Sequence, residues 1–286
     1  MFGTQIALVS LVDATRQWFK STQGLDATET HRDISFCGHA ILGQEVFVIS
    51  DASRDERFHD NPLVTGAPNI RFYAGCPLRS KDGSNIGTLC VIDEQPRQFT
   101  EDDADALRDL AAMVEAELSS FQSATTDELT GISNRRGFVH LANCGLAYAA
   151  ARKLPSTLAF IDLDKFKPIN DTFGHAEGDR ALKTFASSLI RCFRATDVIG
   201  RIGGDEFAVL MLGEATQNGV TLMMALSDHL DKVNATEQRG YDLEFSYGMS
   251  EFNTASCHDI ERLLSDGDVL MYQHKKSKRE AKPDAA

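Results

Sequence analysis

The sequence predicts a two-domain α/β protein, and three observations carry that prediction. The chain has 286 residues, enough for two ordinary cores. Its 42% hydrophobic and 25% charged content is that of a globular protein. Its texture also changes once along the chain. Strands and loops run from Ile6 to Asp93; beyond "SATTDELTG" (123–131) helices and strands alternate. The domains are therefore expected over 1–121 and 122–286.

In the first domain, "IALVSLVD", "EVFVISD" and "GTLCVID" read as strands, and "SKDGSN" as a hairpin turn. An antiparallel sheet flanked by helices follows. The helix "TEDDADALRDLAAMVEAELSSF" (100–121) closes the domain. Thr100 caps it, and the acids of its first turn suit the positive end of the helix dipole. Leu107, Leu110, Ala111, Val114, Leu118 and Phe121 form one apolar stripe with partial heptad spacing. Packing on its own domain and a dimerising stalk both fit that stripe.

In the second domain, Asn134 caps a helix running to about Arg152, and "STLAFIDLD" (156–164) is a strand. A short helix holds "KFKPINDTF", with Pro168 confined to its first turn. A longer helix follows, with Ala181, Leu182, Phe185, Leu189 and Phe193 on one face. Then come a hairpin, the helix "GVTLMMALSDHLDKV", the strand "LEFSYGMSEF" and a last helix containing "DIERLLSDGDVLMYQHKK".

Bulk properties exclude several classes. The net charge of −13 speaks against gripping nucleic acid, which calls for a basic face. The imbalance lies mostly before Ala124, with 19 acidic and 10 basic residues; the remainder has 23 and 19. No apolar run has the length of a membrane span and no signal peptide opens the chain, so a soluble, cytoplasmic protein is expected. Six scattered cysteines without a CxxC pair read as reduced thiols.

The chemistry concentrates around "RATDVIGRIGGDEFAVLML" (194–212). A Gly-Gly pair between apolar runs is a turn signal, and it puts Asp205 and Glu206 at the crest of a hairpin. "LAFIDLD" ends in Asp162 and Asp164. If that strand lies beside the hairpin, the carboxylates converge on one edge, a donor set that suits Mg²⁺ together with substrate phosphates. Lys167 and Asn170 fall on one face of the next helix, and Asp179 follows a glycine at the start of the one after. A cation, an amide and a carboxylate able to bind the guanine edge complete a nucleotide-site inventory.

"GGDEF" (203–207), "FIDLDKFKPINDTFGHAEGD" (160–179) and "DELTGISNRRGF" (127–138) together resemble the GGDEF family of diguanylate cyclases, over 125–280. The resemblance implies a palm-type domain, akin to nucleotidyl cyclases and polymerases, that makes cyclic di-GMP from two GTP. By position, it implies Mg²⁺ (or Mn²⁺) on Asp162, Asp205 and the Leu163 carbonyl, with Glu206 sharing metal or base duty. Asp205 holds the position named as the base, which leaves the choice between the two acids open. Asn170 and Asp179 match the guanine-reading positions, Lys167 the transition-state phosphate contact, and Gly203 and Gly204 the close approach to the nucleotide. Lys275 and Arg279, in "YQHKKSKRE", match phosphate-binding cations, with Lys278 and Glu280 replacing the family's glycine and asparagine. "RATD" matches an inhibitory RxxD site, with Arg194 and Asp197 receiving the product. In-line attack between two GTP implies a homodimer.

"SFCGHAI", "DASRDERFHDNPLV" and "IRFYAGCPLRSKDGSNIGTLCVID" look like a GAF domain over 5–120, without the family's first helix ahead of the first strand. Such a domain implies a small ligand or a dimer contact. Cys37, His39, His59 and Trp18 read as structural residues. Two other functions compete. A silent GGDEF receptor for GTP or cyclic di-GMP predicts a damaged metal or base position, and all are intact. A relative using ATP predicts a change at Asp179, whose carboxylate suits the paired donors of guanine.

Overall fold

The computed structural model describes residues 1–252 and 259–281, the side chains of Arg279 and Ala281 excepted. Cys257 lies outside the described residues. The chain divides into two compact units, Met1–Phe121 and Gln122–Ala286.

The first unit is a six-stranded antiparallel sheet in the order β3-β2-β1-β6-β5-β4. Its strands are β1 (Ile6–Val12), β2 (Arg16–Gln23), β3 (Glu29–His31), β4 (Phe47–Ile49), β5 (Phe72–Arg79) and β6 (Asn85–Asp93). Short helices α1 (Phe36–Ala40) and α2 (Pro62–Thr65) lie in the connections, and α3 (Glu101–Thr125) follows the last strand. β5 is buried on both faces because the sheet is covered on both. Tyr73 packs with Phe36, Cys37 and Phe58 on one side; Phe72, Ala74 and Leu78 pack with Leu107 and Ala111 of α3 on the other. Each such fully buried large apolar side chain contributes about 1.5–3 kcal/mol. Thr100 and Asp103 cap α3 reciprocally, the Asp103 N–H donating to Thr100 Oγ1 and the Thr100 N–H to the Asp103 carboxylate.

The α3 stripe divides in two. Leu107, Ala111 and Val114 pack on the unit's own sheet, whereas Phe121 remains half exposed. The helix also continues to Thr125, four residues past the predicted end, so the division between units falls inside it.

The second unit is a five-stranded sheet in the order β11-β8-β10-β9-β7. Its strands are β7 (Ser133–Asn134), β8 (Ser156–Leu163), β9 (Val198–Gly203), β10 (Glu206–Leu212) and β11 (Phe245–Phe252). Among the described residues, only the short β7–β9 pair is parallel. The helices are α4 (Arg135–Arg152), α5 (Phe166–Phe173), α6 (His175–Cys192), α7 (Thr216–Glu237) and α8 (Ile260–Ala281). Alternation along β8 sorts the two cores. Ala159, Ile161 and Leu163 face α6 and α7; Leu158 and Phe160 face α4 and α8. α8 crosses β11 very closely. A Cβ on Gly248 would stand 2.2 Å from both the Gly267 carbonyl and the Met271 amide, so only hydrogen fits.

Candidate functional site

β8 is buried along its whole length, which fixes its final residues between β10 and β11. The antiparallel register sets Asp162 directly opposite Glu206. Opposed residues project from the same face of a sheet. Here it is the α4/α8 face, because Phe160 and Ala208, two residues back along each strand, lie in that core. Gly203 pairs with Glu206, so Gly204 and Asp205 form a two-residue turn. The Leu163 N–H donates to the Asp205 carbonyl at 3.1 Å. In an extended strand a residue's N–H and C=O share one side, so the Leu163 carbonyl also faces the hairpin.

The charges here are not balanced. The Lys275 ammonium, carried by α8, binds the Asp162 carboxylate. Even so, burial holds Asp162 above the usual carboxylate value, and Asp205 and Asp164 add to the effect against Lys275. Burial likewise raises Glu206, with Asp268, Asp162 and Asp205 adding and Arg135 opposing. An all-oxygen donor set carrying excess negative charge fits a hard divalent cation. Among the described residues no three His, Cys, Asp or Glu side chains stand together as a metal-holding group. Neither turn glycine has a positive φ, and a Cβ on Gly204 would meet nothing within 4 Å. The turn is open to an approaching ligand.

Two residues important to this edge were given no role by the sequence reading. Lys278, one helical turn beyond Lys275, donates to Asp164 Oδ2 at 2.7 Å and to the Phe245 carbonyl at 2.9 Å. Asp164 also accepts from Ser246 Oγ at 2.8 Å. The replacement of the family's glycine at 278 was the available signal. Arg201 is the other. Its guanidinium holds the turn by donating to the Gly204 carbonyl at 2.8 and 3.0 Å, and it pairs with Asp127 at 3.1 Å. A shallow cleft of about 550 Å³ lies there, lined by Asp127, Asn134, Arg135, Arg136 and both turn glycines. The side chain of Arg279 lies outside the described residues.

α5 and α6 carry the other candidates. Asn170 is half-buried, and Lys167, one turn earlier, is exposed. Asp179 stands exposed in the second turn of α6, which begins at His175 rather than beside it. Gly178 explains the proximity of Asn170 and Asp179: a Cβ there would lie 2.0 Å from Asn170 Oδ1, so the amide rests against the glycine next to Asp179.

The "RATD" turn lies at the far end of β9, about 20 Å from the Gly-Gly turn at ~3.3 Å per residue. Asp197 is buried, and its two oxygens accept from the Arg194 N–H at 3.0 Å and the Leu212 N–H at 3.2 Å. Burial raises it above the usual carboxylate value, against those two bonds. Arg194 is exposed and pairs with buried Glu214 at 2.5 Å.

In the first unit, Cys37 is buried, and His39 Nδ1 lies 3.1 Å from the Ser35 carbonyl with its ring edge against Phe58. His59 is exposed.

Fold and site define a two-unit α/β protein whose second unit gathers carboxylates and lysines at the end of a mixed sheet. Residues 124–281 match the family described as "Diguanylate cyclase, GGDEF domain", and residues 1–118 match "GAF domain". The chain belongs to the GGDEF diguanylate cyclase family, with a GAF domain ahead of the GGDEF domain. The diguanylate cyclase DgcP of Escherichia coli is 31% identical over 268 residues, covering 86% of this chain and 75% of DgcP. The cyclic di-GMP phosphodiesterase PA2567 of Pseudomonas aeruginosa is 49% identical over 136 residues, or 47% of this chain. This chain spans only 23% of that relative's length. The crystal structure of the coiled coil and GGDEF domain of DgcB from Caulobacter crescentus in complex with c-di-GMP is also similar. It aligns at a TM-score of 0.53 and 25% identity, covering 61% of this chain and 92% of that one. Among the described residues no helix is long and apolar enough to cross a membrane.

Proposed function

We propose that the chain is a diguanylate cyclase, joining two GTP into cyclic di-GMP with release of two pyrophosphates. The observation that carries this reading is the in-register opposition of Asp162 and Glu206 beside the Asp205 turn, with the excess negative charge it creates. Asp162, Asp205, Glu206 and the Leu163 carbonyl would hold Mg²⁺ or Mn²⁺. When bound, the ion supplies neutralisation of triphosphate charge. Lys275 and Lys167 bind phosphate oxygens, and Arg279 is assigned to the same task by its place in the chain. Asn170 and Asp179 read the guanine edge, where Asp179 accepts from the paired N–H donors. Gly203 and Gly204 admit the nucleotide to the backbone. Asp205 and Glu206 are the acids placed to take the 3′-hydroxyl proton. The 3′-oxygen of one GTP must meet the α-phosphorus of another in line, so two chains act face to face as a homodimer.

Cyclic di-GMP returns as an inhibitor at the "RATD" turn. Arg194 exchanges Glu214 for a phosphate or guanine of the product, while Asp197 orders the turn. The GAF domain supplies the regulatory input.

The test is to incubate purified protein with GTP and Mg²⁺ and to identify the product by mass. Cyclic di-GMP is expected, and Asp205→Asn should abolish it while the melting temperature stays within a few degrees. Turnover retained by the folded variant would overturn the site assignment.

A further inference from the structure

The first unit contains a pair of buried thiols that the cyclase reading does not use. Cys37 on α1 and Cys90 on β6 are 2% and 0% exposed, and their sulfurs stand 3.8 Å apart. That is contact distance, about 1.8 Å longer than a disulfide bond of ~2.05 Å. The elements that carry them are separate, 53 residues apart in sequence, so a bond would tie α1 to the middle of the sheet.

The surroundings are polar in an otherwise apolar interior. Tyr73 Oη donates to Cys37 Sγ at 3.4 Å, and the Ser10 and Thr88 hydroxyls, 3.1 Å apart, lie beside Cys37 as well. Donors around one buried sulfur favour its thiolate. Hydrogen bonding from Cys90 lowers the Cys37 thiol most, with Ser10, Thr88 and Tyr73 adding to it against burial. Cys90 and Tyr73 are pushed the other way and keep their protons. One nucleophilic sulfur thus sits beside one protonated sulfur.

Cys37 and Tyr73 also line a cavity of about 240 Å³, walled mostly by apolar residues such as Leu8, Phe36 and Ile70, with Gln17 and Thr30 as further polar members. A water molecule's share of liquid is ~30 Å³, so a peroxide fits with room for sulfur movement. A metal does not account for the pair. Two thiols fall short of the three or four protein ligands a zinc site takes, and no third ligating side chain completes a group among the described residues.

We propose that Cys37 and Cys90 form a peroxide-oxidisable dithiol within the GAF domain. The Cys37 thiolate attacks one oxygen of hydrogen peroxide and the O–O bond breaks. The departing hydroxide takes up the proton released when Cys37 ionised and leaves as water; Cys37 is now a sulfenic acid. The Cys90 sulfur then attacks Cys37 Sγ, the S–O bond breaks, and the hydroxyl departs with the Cys90 proton as a second water. Two thiols lose two electrons and two protons, and peroxide is reduced to two waters. The bond draws Cys37 off Tyr73 and reshapes the cavity wall.

The test uses the full chain. It is titrated with hydrogen peroxide, quenched, denatured and alkylated, and its peptides are mapped by mass. The expected result is loss of alkylation at Cys37 and Cys90 together, with a linked peptide lighter by two hydrogens that dithiothreitol reverses. This should precede any change at exposed Cys144. Cys90→Ser should leave a Cys37 sulfenic acid that dimedone captures. Oxidation of Cys144 while Cys37 and Cys90 both remain alkylatable would overturn the proposal in the native chain, whether or not the variant folds.

Discussion

Gly178→Ala separates substrate reading from folding, because the structure assigns the two effects opposite signs. Gly178 is a helical residue of α6, and alanine within a helix is favoured by about 0.5–1 kcal/mol. Its Cβ would stand 2.0 Å from Asn170 Oδ1, where a contact of about 3.5 Å is comfortable. The atom met is the end of a side chain, so the amide swings by more than about 1 Å and the backbone stays. If that amide reads guanine, its displacement leaves a ligand group unpaired. The cost is about 1–3 kcal/mol, or roughly 5- to 150-fold in GTP affinity. The assay pairs a thermal melt with a GTP titration under Mg²⁺. An unchanged or raised melting temperature with weakened binding is expected. Asn170→Ala should weaken binding similarly, and the double variant should fall short of the sum, since both remove one contact. GTP affinity within about twofold of the parent, in a folded Gly178→Ala protein, would refute the placement of the guanine at Asn170.

Glu206→Gln should stabilise the metal-free protein near neutrality. The folded-state value of Glu206 lies above its ordinary 4.5, so its contribution is present below that value and is lost as pH rises through the folded one. The melting temperature of the parent, relative to the variant, should therefore fall between acidic and neutral pH in EDTA; a difference flat with pH would remove the burial argument. Arg194→Ala should relieve inhibition by added cyclic di-GMP with little effect on melting, since its pair is largely exposed on the arginine side. Asp197→Ala should instead lower stability by about 1–3 kcal/mol, read by denaturant titration, because two part-buried N–H groups lose their acceptor. Equal effects of the two on inhibition with none on stability would assign Asp197 to the ligand instead.

Much of this was legible in the sequence because period and turn chemistry agreed. Asn134 does cap α4, accepting from the Gly137 N–H at 3.0 Å, and the Gly-Gly turn joins two strands as the flanking apolar runs required. The convergence of Asp162 with the hairpin was conditional on which strands neighbour one another, a non-local fact that periodicity does not carry. The roles of Lys278 and Arg201 depend on side-chain reach across elements, from α8 to β8 and from β9 around the turn to Asp127. The end of α3 was missed because nothing at 122–125 breaks a helix: Gln, Ser, Ala and Thr allow it to continue. The thiol pair was invisible for the same reason as the strand order, since α1 meets β6 only in three dimensions.

The two ends of β9 show why the acids at one end point to chemistry and those at the other do not. At the "RATD" end each carboxylate has its partners. Asp197 accepts two backbone N–H groups, and Glu214 binds both Arg194 and the Asn218 amide. At the Gly-Gly end, Lys275 and Lys278 each take one acid, and Glu206 is left facing Asp162, Asp205 and Asp268, with Arg135 opposing. The approach of α8 that delivers both lysines depends on Gly248 lying bare against Gly267 and Met271, so the fold works to bring cations in and still leaves negative charge in excess. Such an imbalance lowers the stability of the empty unit and is relieved by a cation that binds the folded state. A triphosphate arriving alone would worsen it. That imbalance supports the proposed role of these acids in holding an ion that enters with the nucleotide, since folding alone gives no reason to keep them.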